Sequence, residues 1–147
     1  LNLVAEQCVK VYVQWLMAFK SFEDIKVWQE ARELNILLQE FYGRYAIKKD
    51  SDWEDQISRA VLSIMSNIAE GNDAQSDMEF AKFLGYAKRS AAEVRSQIYF
   101  AFDRKYISEE EFNELKSRAI RIARQLASLI SYLQSSKRKR RSIIKKT

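Results

Sequence analysis

The stretch Asn67-Ile68-Ala69-Glu70-Gly71-Asn72-Asp73 sets a carboxylate beside one of only three glycines in a chain of 147 residues. Such a pairing suits a catalytic acid, a phosphate cradle or a corner between helices. A helix ending at Gly71 would leave Glu70 beside the negative end of its own dipole, where an acid is disfavoured. A phosphate cradle needs a glycine-rich loop that presents backbone N–H groups, and here acids flank a single glycine. Catalysis through Glu70 lacks companions. The chain contains no His, which removes His-dependent triads, Cys–His dyads and His-ligated metal sites, and Cys8 is its one cysteine. The 20 acids form no cluster with ligand-like spacing, and Glu109-Glu110-Glu111 reads as a solvated first-turn run. No catalytic residue, metal or cofactor is expected, and the chain reads as a non-enzymatic protein.

Positive charge is the second chemical signal. Seven of the 25 Lys and Arg residues lie in the last eleven positions, as Lys137, Arg138, Lys139, Arg140, Arg141, Lys145 and Lys146. The rest of the chain holds 18 basic against 20 acidic residues, so the high pI belongs to this tail. A polyanion such as RNA is the partner such a run would take, against the alternative of a solubilising end. Arg118, Arg121 and Arg124 form a further basic line, at i, i+3 and i+6. It is either a face paired with acids or a contact to phosphates.

These groups need elements to position them. With no Pro and three Gly, helix breakers are few and an all-α fold follows. Helix starts are marked by Ser21-Phe22-Glu23-Asp24, Asp52-Trp53-Glu54-Asp55, Ser76-Asp77-Met78-Glu79 and Ser108-Glu109-Glu110-Glu111, each with the pattern of a capping box. Apolar residues follow each start at helical spacing. The first predicted helix has Ile25, Trp28, Ala31, Leu34, Leu38 and Phe41, and the second has Ile57, Ala60, Val61, Ile64 and Ile68. The third lines up Phe80, Phe83, Leu84, Ala87, Ala91, Val94, Ile98 and Ala101. The fourth steps through Phe112, Leu115, Ala119, Ile122, Leu126, Leu129 and Leu133. Connections as short as Asn72–Gln75 and Lys105–Ile107 make neighbours antiparallel. The expectation is one domain, an antiparallel up-down four-helix bundle over residues 19–136, with an extension at 1–18 and a basic tail at 137–147.

The extension is apolar without a clear period, and Met17 would serve as a translation start. Its uncharged run from Val11 to Phe19 falls far short of the roughly 20 residues that span a membrane. It has no secretory-signal pattern, and a lone cysteine fits a reducing compartment. A cytoplasmic location without membrane contact is expected.

Within the bundle, Gly71 reads as the C′ residue that ends the second helix in a left-handed conformation. Ser76 then starts the third helix, whose free N–H groups would come near Glu70, with Asn67 bridging to the same corner. Ser90 and Glu93 lie too far along to join it without a neighbouring subunit. Several apolar residues fall outside the seam: Tyr86, Tyr99 and Phe100 on the third helix, and Val27, Ile36 and Leu37 on the first. A monomeric bundle cannot bury them all, so contacts between copies are expected there.

Three segments together carry a family resemblance. FEDIKVWQEA at 22–31, QISRAVLSIMSNIAEGN at 56–72 and SDMEFAKFLGYAKRSAAEVRSQIYFA at 76–101 resemble, in order and spacing, the four-helix-bundle proteins first associated with intervening sequences of 23S ribosomal RNA. The accessory variability proteins of diversity-generating retroelements are similar to the same pattern. The resemblance spans about residues 19–135. It implies a small cytoplasmic homo-oligomer, ring-like and pentameric, without a known catalytic activity. The retroelement likeness implies a reverse transcriptase and nucleic acid as partners. Two loops depart from the pattern: GRYAIKKDSD lacks a Pro, and Asn72-Asp73-Ala74 stands where a Gly/Arg-type turn is common.

Overall fold

The structure, a computed structural model, describes the backbone of residues 21–144 and the side chains of residues 21–135. The extension at 1–18, with Met17 and Cys8, therefore lies outside the described residues. Among the described residues, four long helices and one short one follow a 3-10 turn: α1 (Lys26–Tyr42), α2 (Tyr45–Lys48), α3 (Ser51–Asn72), α4 (Asp77–Asp103) and α5 (Glu109–Ile144). The connection after α1, expected as a loop, thus contains one helical turn whose Ile47 is buried in the core. Among the described residues no helix is long and apolar enough to cross a membrane.

The long helices run antiparallel to their neighbours. Trp53 at the start of α3 donates its indole N–H to Gln97 O near the end of α4 at 3.0 Å. Arg118 and Arg121 of α5 meet Glu33 and Glu30 of α1, the numbers rising on one helix as they fall on the other. The fourth stripe is buried along its whole length, from Phe112 to Leu133, and the second stripe likewise. Each fully buried Leu or Ile contributes about 1.5–3 kcal/mol of transfer free energy, so these seams hold the bundle.

Helix starts follow the expected chemistry in two places of four. Ser76 Oγ accepts from Glu79 N, and Ser108 with Glu111 forms a complete capping box, N–H to side chain in both directions. At α3 the cap is Asp50 rather than Asp52: Asp50 Oδ1 accepts from Trp53 N at 3.2 Å. Ser21 stands at the N-cap position of the 3-10 turn Phe22–Asp24 but caps nothing with its side chain, its hydroxyl donating to the Glu23 carboxylate. Helix α1 begins after an extended Ile25 with no side-chain cap. That half-turn offset brings Val27 into the core at 3% exposure and leaves Trp28 half-buried against Phe22. Val27 is therefore a core residue, not an outer contact.

The end of the bundle near the α4–α5 turn is closed by polar groups. Arg44 forms a two-toothed pair with Glu111, at 2.9 and 2.6 Å, and also donates to Tyr106 O. The Arg44 guanidinium, followed by the Ser108 N–H, holds the Glu111 carboxyl down at about 2. Tyr106 donates its hydroxyl to Asp50 Oδ2 at 2.6 Å, which lowers the carboxyl's pKa and raises the phenol's. The turn itself is a Schellman motif: Tyr106 N reaches Ala101 O and Lys105 N reaches Phe102 O, with Lys105 at φ 60.

Candidate functional site

Gly71 is not a left-handed stop. It lies inside α3, no described glycine has positive φ, and Asp73 ends the helix in a right-handed conformation. What Gly71 supplies is space. A Cβ there would stand 2.7 Å from Phe80 Cδ2 and 2.9 Å from Phe83 Cβ, so the missing side chain lets α3 and α4 close on each other. Phe80 and Phe83 lie across this contact, half-buried, while Ala81 takes the seam position instead.

The neighbours of Gly71 do not converge on a corner. Asn67 donates back to Ser63 O at 2.8 Å and to Ser63 Oγ at 3.1 Å. Ser90 donates to the same Ser63 Oγ at 2.8 Å, so Ser90 joins Asn67 within one chain, through a residue that carried no signal in the sequence. Glu70 is exposed, and among the described residues it makes no hydrogen bond or ion pair. The start of α4 is served by Ser76 instead. No three His, Cys, Asp or Glu among the described residues stand close enough to hold a metal ion.

The basic line on α5 divides. Arg118 pairs with Glu114 at 3.2 Å and Glu33 at 3.5 Å, and Arg121 Nε donates to Glu30 at 2.6 Å. Both are held by acids, whereas Arg124 is exposed and, among the described residues, in no ion pair. With Asn113, Lys116, Ser117, Ile120 and Arg121 it lines a groove of about 440 Å³ on the outer side of α5. The side chains of Lys137, Arg138, Lys139, Arg140 and Arg141 lie outside the described residues. Their backbone belongs to α5, which runs on to Ile144, so this basic run continues the helix instead of following it.

The outer apolar residues divide as well. Ile36, Tyr86, Tyr99 and Phe100 are exposed by 49%, 38%, 44% and 40%. Leu37 packs against the core with Val27 and leaves the set. Leu62 and Met78, which the stripes did not single out, are exposed at 62% and 58%. Cations attend three of the aromatic rings: Arg89 over Tyr86, Arg104 over Phe100 and Lys116 over Tyr99.

Comparison with known proteins agrees with this architecture. The sequence profile described as 23S rRNA-intervening sequence protein matches residues 23–128. A crystal structure of a protein of unknown function from the S23 ribosomal protein family of Bacteroides thetaiotaomicron is similar, with a TM-score of 0.64 and 26% identity. The match covers 71% of this chain and 97% of that one. No curated protein matches the chain.

Proposed function

The chain belongs to the family of 23S rRNA-intervening sequence proteins, and from that premise we propose that it is a non-enzymatic, self-associating module that binds RNA. The observation that carries this reading is the placement of charge. Five consecutive cations, Lys137 to Arg141, stand on the far end of the longest helix of a bundle that is otherwise slightly acidic. Cations on such an extension reach phosphates without disturbing the seam, whose last residue is Leu133.

Self-association supports the same reading. Tyr86, Phe100 and Ile36 offer apolar surface outside the core. Copies joined through a heterologous interface would repeat the basic extension around a ring, and a pentamer would present five of them. Weak single contacts to one RNA then add through effective concentration. In a cytoplasmic setting ribosomal RNA is within reach.

A filter-binding titration at several salt concentrations tests RNA binding, on the full chain and on a form ending at Ser136. If about five phosphates are neutralised per extension on single-stranded RNA, log K falls with log salt at a slope near −3.5. The shortened form should show a flatter slope with an intact fold. Absence of RNA binding by both forms at low salt would leave a purely structural, self-assembling protein.

A further inference from the structure

We propose that the face shared by α4 and α5 is a seat for single-stranded RNA, an inference that rests on the RNA-binding reading above and locates a second contact for it. The face is set by Tyr99 of α4, whose ring lies 5.0 Å from that of Phe112 of α5, with Lys116 Nζ 5.4 Å from both ring centroids. Residues in helical register with Tyr99 on α4 are Arg95, Ala92 and Lys88, all exposed. On α5 the groove beside Lys116 runs past Ile120 to Arg124. Lys88, Arg95, Lys116 and Arg124 thus line one side of the molecule, and none of them stands in an ion pair among the described residues.

Few acids stand on this side, and the exposed Asp103, one turn beyond Tyr99 on α4, lies at its edge. Between residues 80 and 102 the one acid is Glu93, and between 113 and 135 it is Glu114. Glu93 faces the other way, lining a groove with Asp52, Asp55 and Arg59 of α3. Glu114 turns toward α1 and pairs with Arg118. A row of four unpaired cations with no acid between them draws a polyanion. Ala92 on α4 and Ala123 and Ala127 on α5 leave little bulk between the cations. Tyr99, 44% exposed, offers a ring on which a base can stack. A membrane would call for large apolar side chains among the cations, and Ile120 is the one present in the groove.

The test is fluorescence anisotropy with a labelled single-stranded RNA of about 20 nucleotides, on the full chain. Lys88→Gln, Arg95→Gln, Lys116→Gln and Arg124→Gln are combined in one variant. A control removes the same charge elsewhere, as Arg32→Gln, Lys48→Gln, Lys49→Gln and Arg59→Gln. The face variant should bind at least about tenfold more weakly at low salt and flatten the salt slope by about 2 to 3, while the control changes far less. Tyr99→Ala should weaken binding severalfold and Tyr99→Phe should restore it. Circular dichroism checks that each variant is folded. Face and control variants with equal affinity, while the full chain binds RNA, would overturn the inference and leave the RNA-binding reading standing. No RNA binding by the full chain would overturn both. A face variant that changes its mass in light scattering, or a full chain that binds phosphatidylserine vesicles through these residues and not RNA, would assign the face to another occupant and overturn the inference.

Discussion

Gly71 and Phe80 meet so closely across the α3–α4 turn that a Cβ on the glycine would lie 2.7 Å from the ring. Phe83 Cβ, at 2.9 Å, cannot swing away as a ring can, so the helices themselves would have to part. Gly71→Ala should therefore destabilise by about 1–3 kcal/mol, despite the better helix propensity of alanine. Gly85, also helical, has nothing within 4 Å of its missing Cβ, and Gly85→Ala should stabilise by about 0.5–1 kcal/mol. Urea melts of the two variants should move in opposite directions. Gly71→Asn separates close approach from a left-handed cap, because a cap tolerates Asn and this contact does not.

Lys105 occupies the left-handed position of the Schellman turn between α4 and α5. A non-glycine residue there costs about 1–2 kcal/mol. Glycine also loses more backbone entropy on folding, so Lys105→Gly should gain only about 0.5–1 kcal/mol. Thermal melting should rise by a few degrees, and a fall would mean that the lysine side chain contributes more than its backbone costs.

The Arg44–Glu111 pair makes stability depend on acid pH. Glu111 titrates at about 2 in the folded chain against an ordinary 4.5, so its contribution is complete above pH 4.5 and is lost as pH falls toward about 2. Asp50, lowered by its bond from Tyr106, acts in the same direction. Both sites are partly open to water, which limits the Arg44–Glu111 contribution to about 1 kcal/mol. Denaturation curves of Arg44→Gln should show a shallower loss of stability over that range. An unchanged pH profile would show that the pair contributes nothing.

Self-association should respond to the outer aromatics. The full chain should scatter light as a multiple of its 17.3 kDa mass at micromolar concentration. Tyr86→Glu combined with Phe100→Glu should return it to a single-chain mass without unfolding it. A wild-type chain of single-chain mass would remove the ring from the account.

Much of the scaffold was legible because its signals are local. The stripe from Phe112 to Leu133 needs only a 3/4 rhythm, and the boxes at Ser76 and Ser108 need only four residues each. What was misread depends on distant partners. A glycine near a helix end looks alike whether it turns left-handed or admits a neighbour, and Phe80 and Phe83 decide the matter from across a turn. Arg118 and Arg121 read either as a face paired with acids or as phosphate contacts, and Glu30 and Glu33, some 90 residues away in sequence, decide for the acids. Asp50 and Asp52 both flank Ser51, and only the geometry at Trp53 N chooses between them. Lys105 carries no sequence mark of its conformation. The basic run at 137–141 was visible as charge, but its continuity with α5 was not.

The central claim, that this family member binds RNA in the cell, is tested most directly by ultraviolet crosslinking and recovery of bound RNA, with the form ending at Ser136 as control. RNA covalently held by the full chain, enriched over background, is the expected result, with a marked loss on truncation. Equal background recovery from both forms, with each folded and expressed, would contradict it.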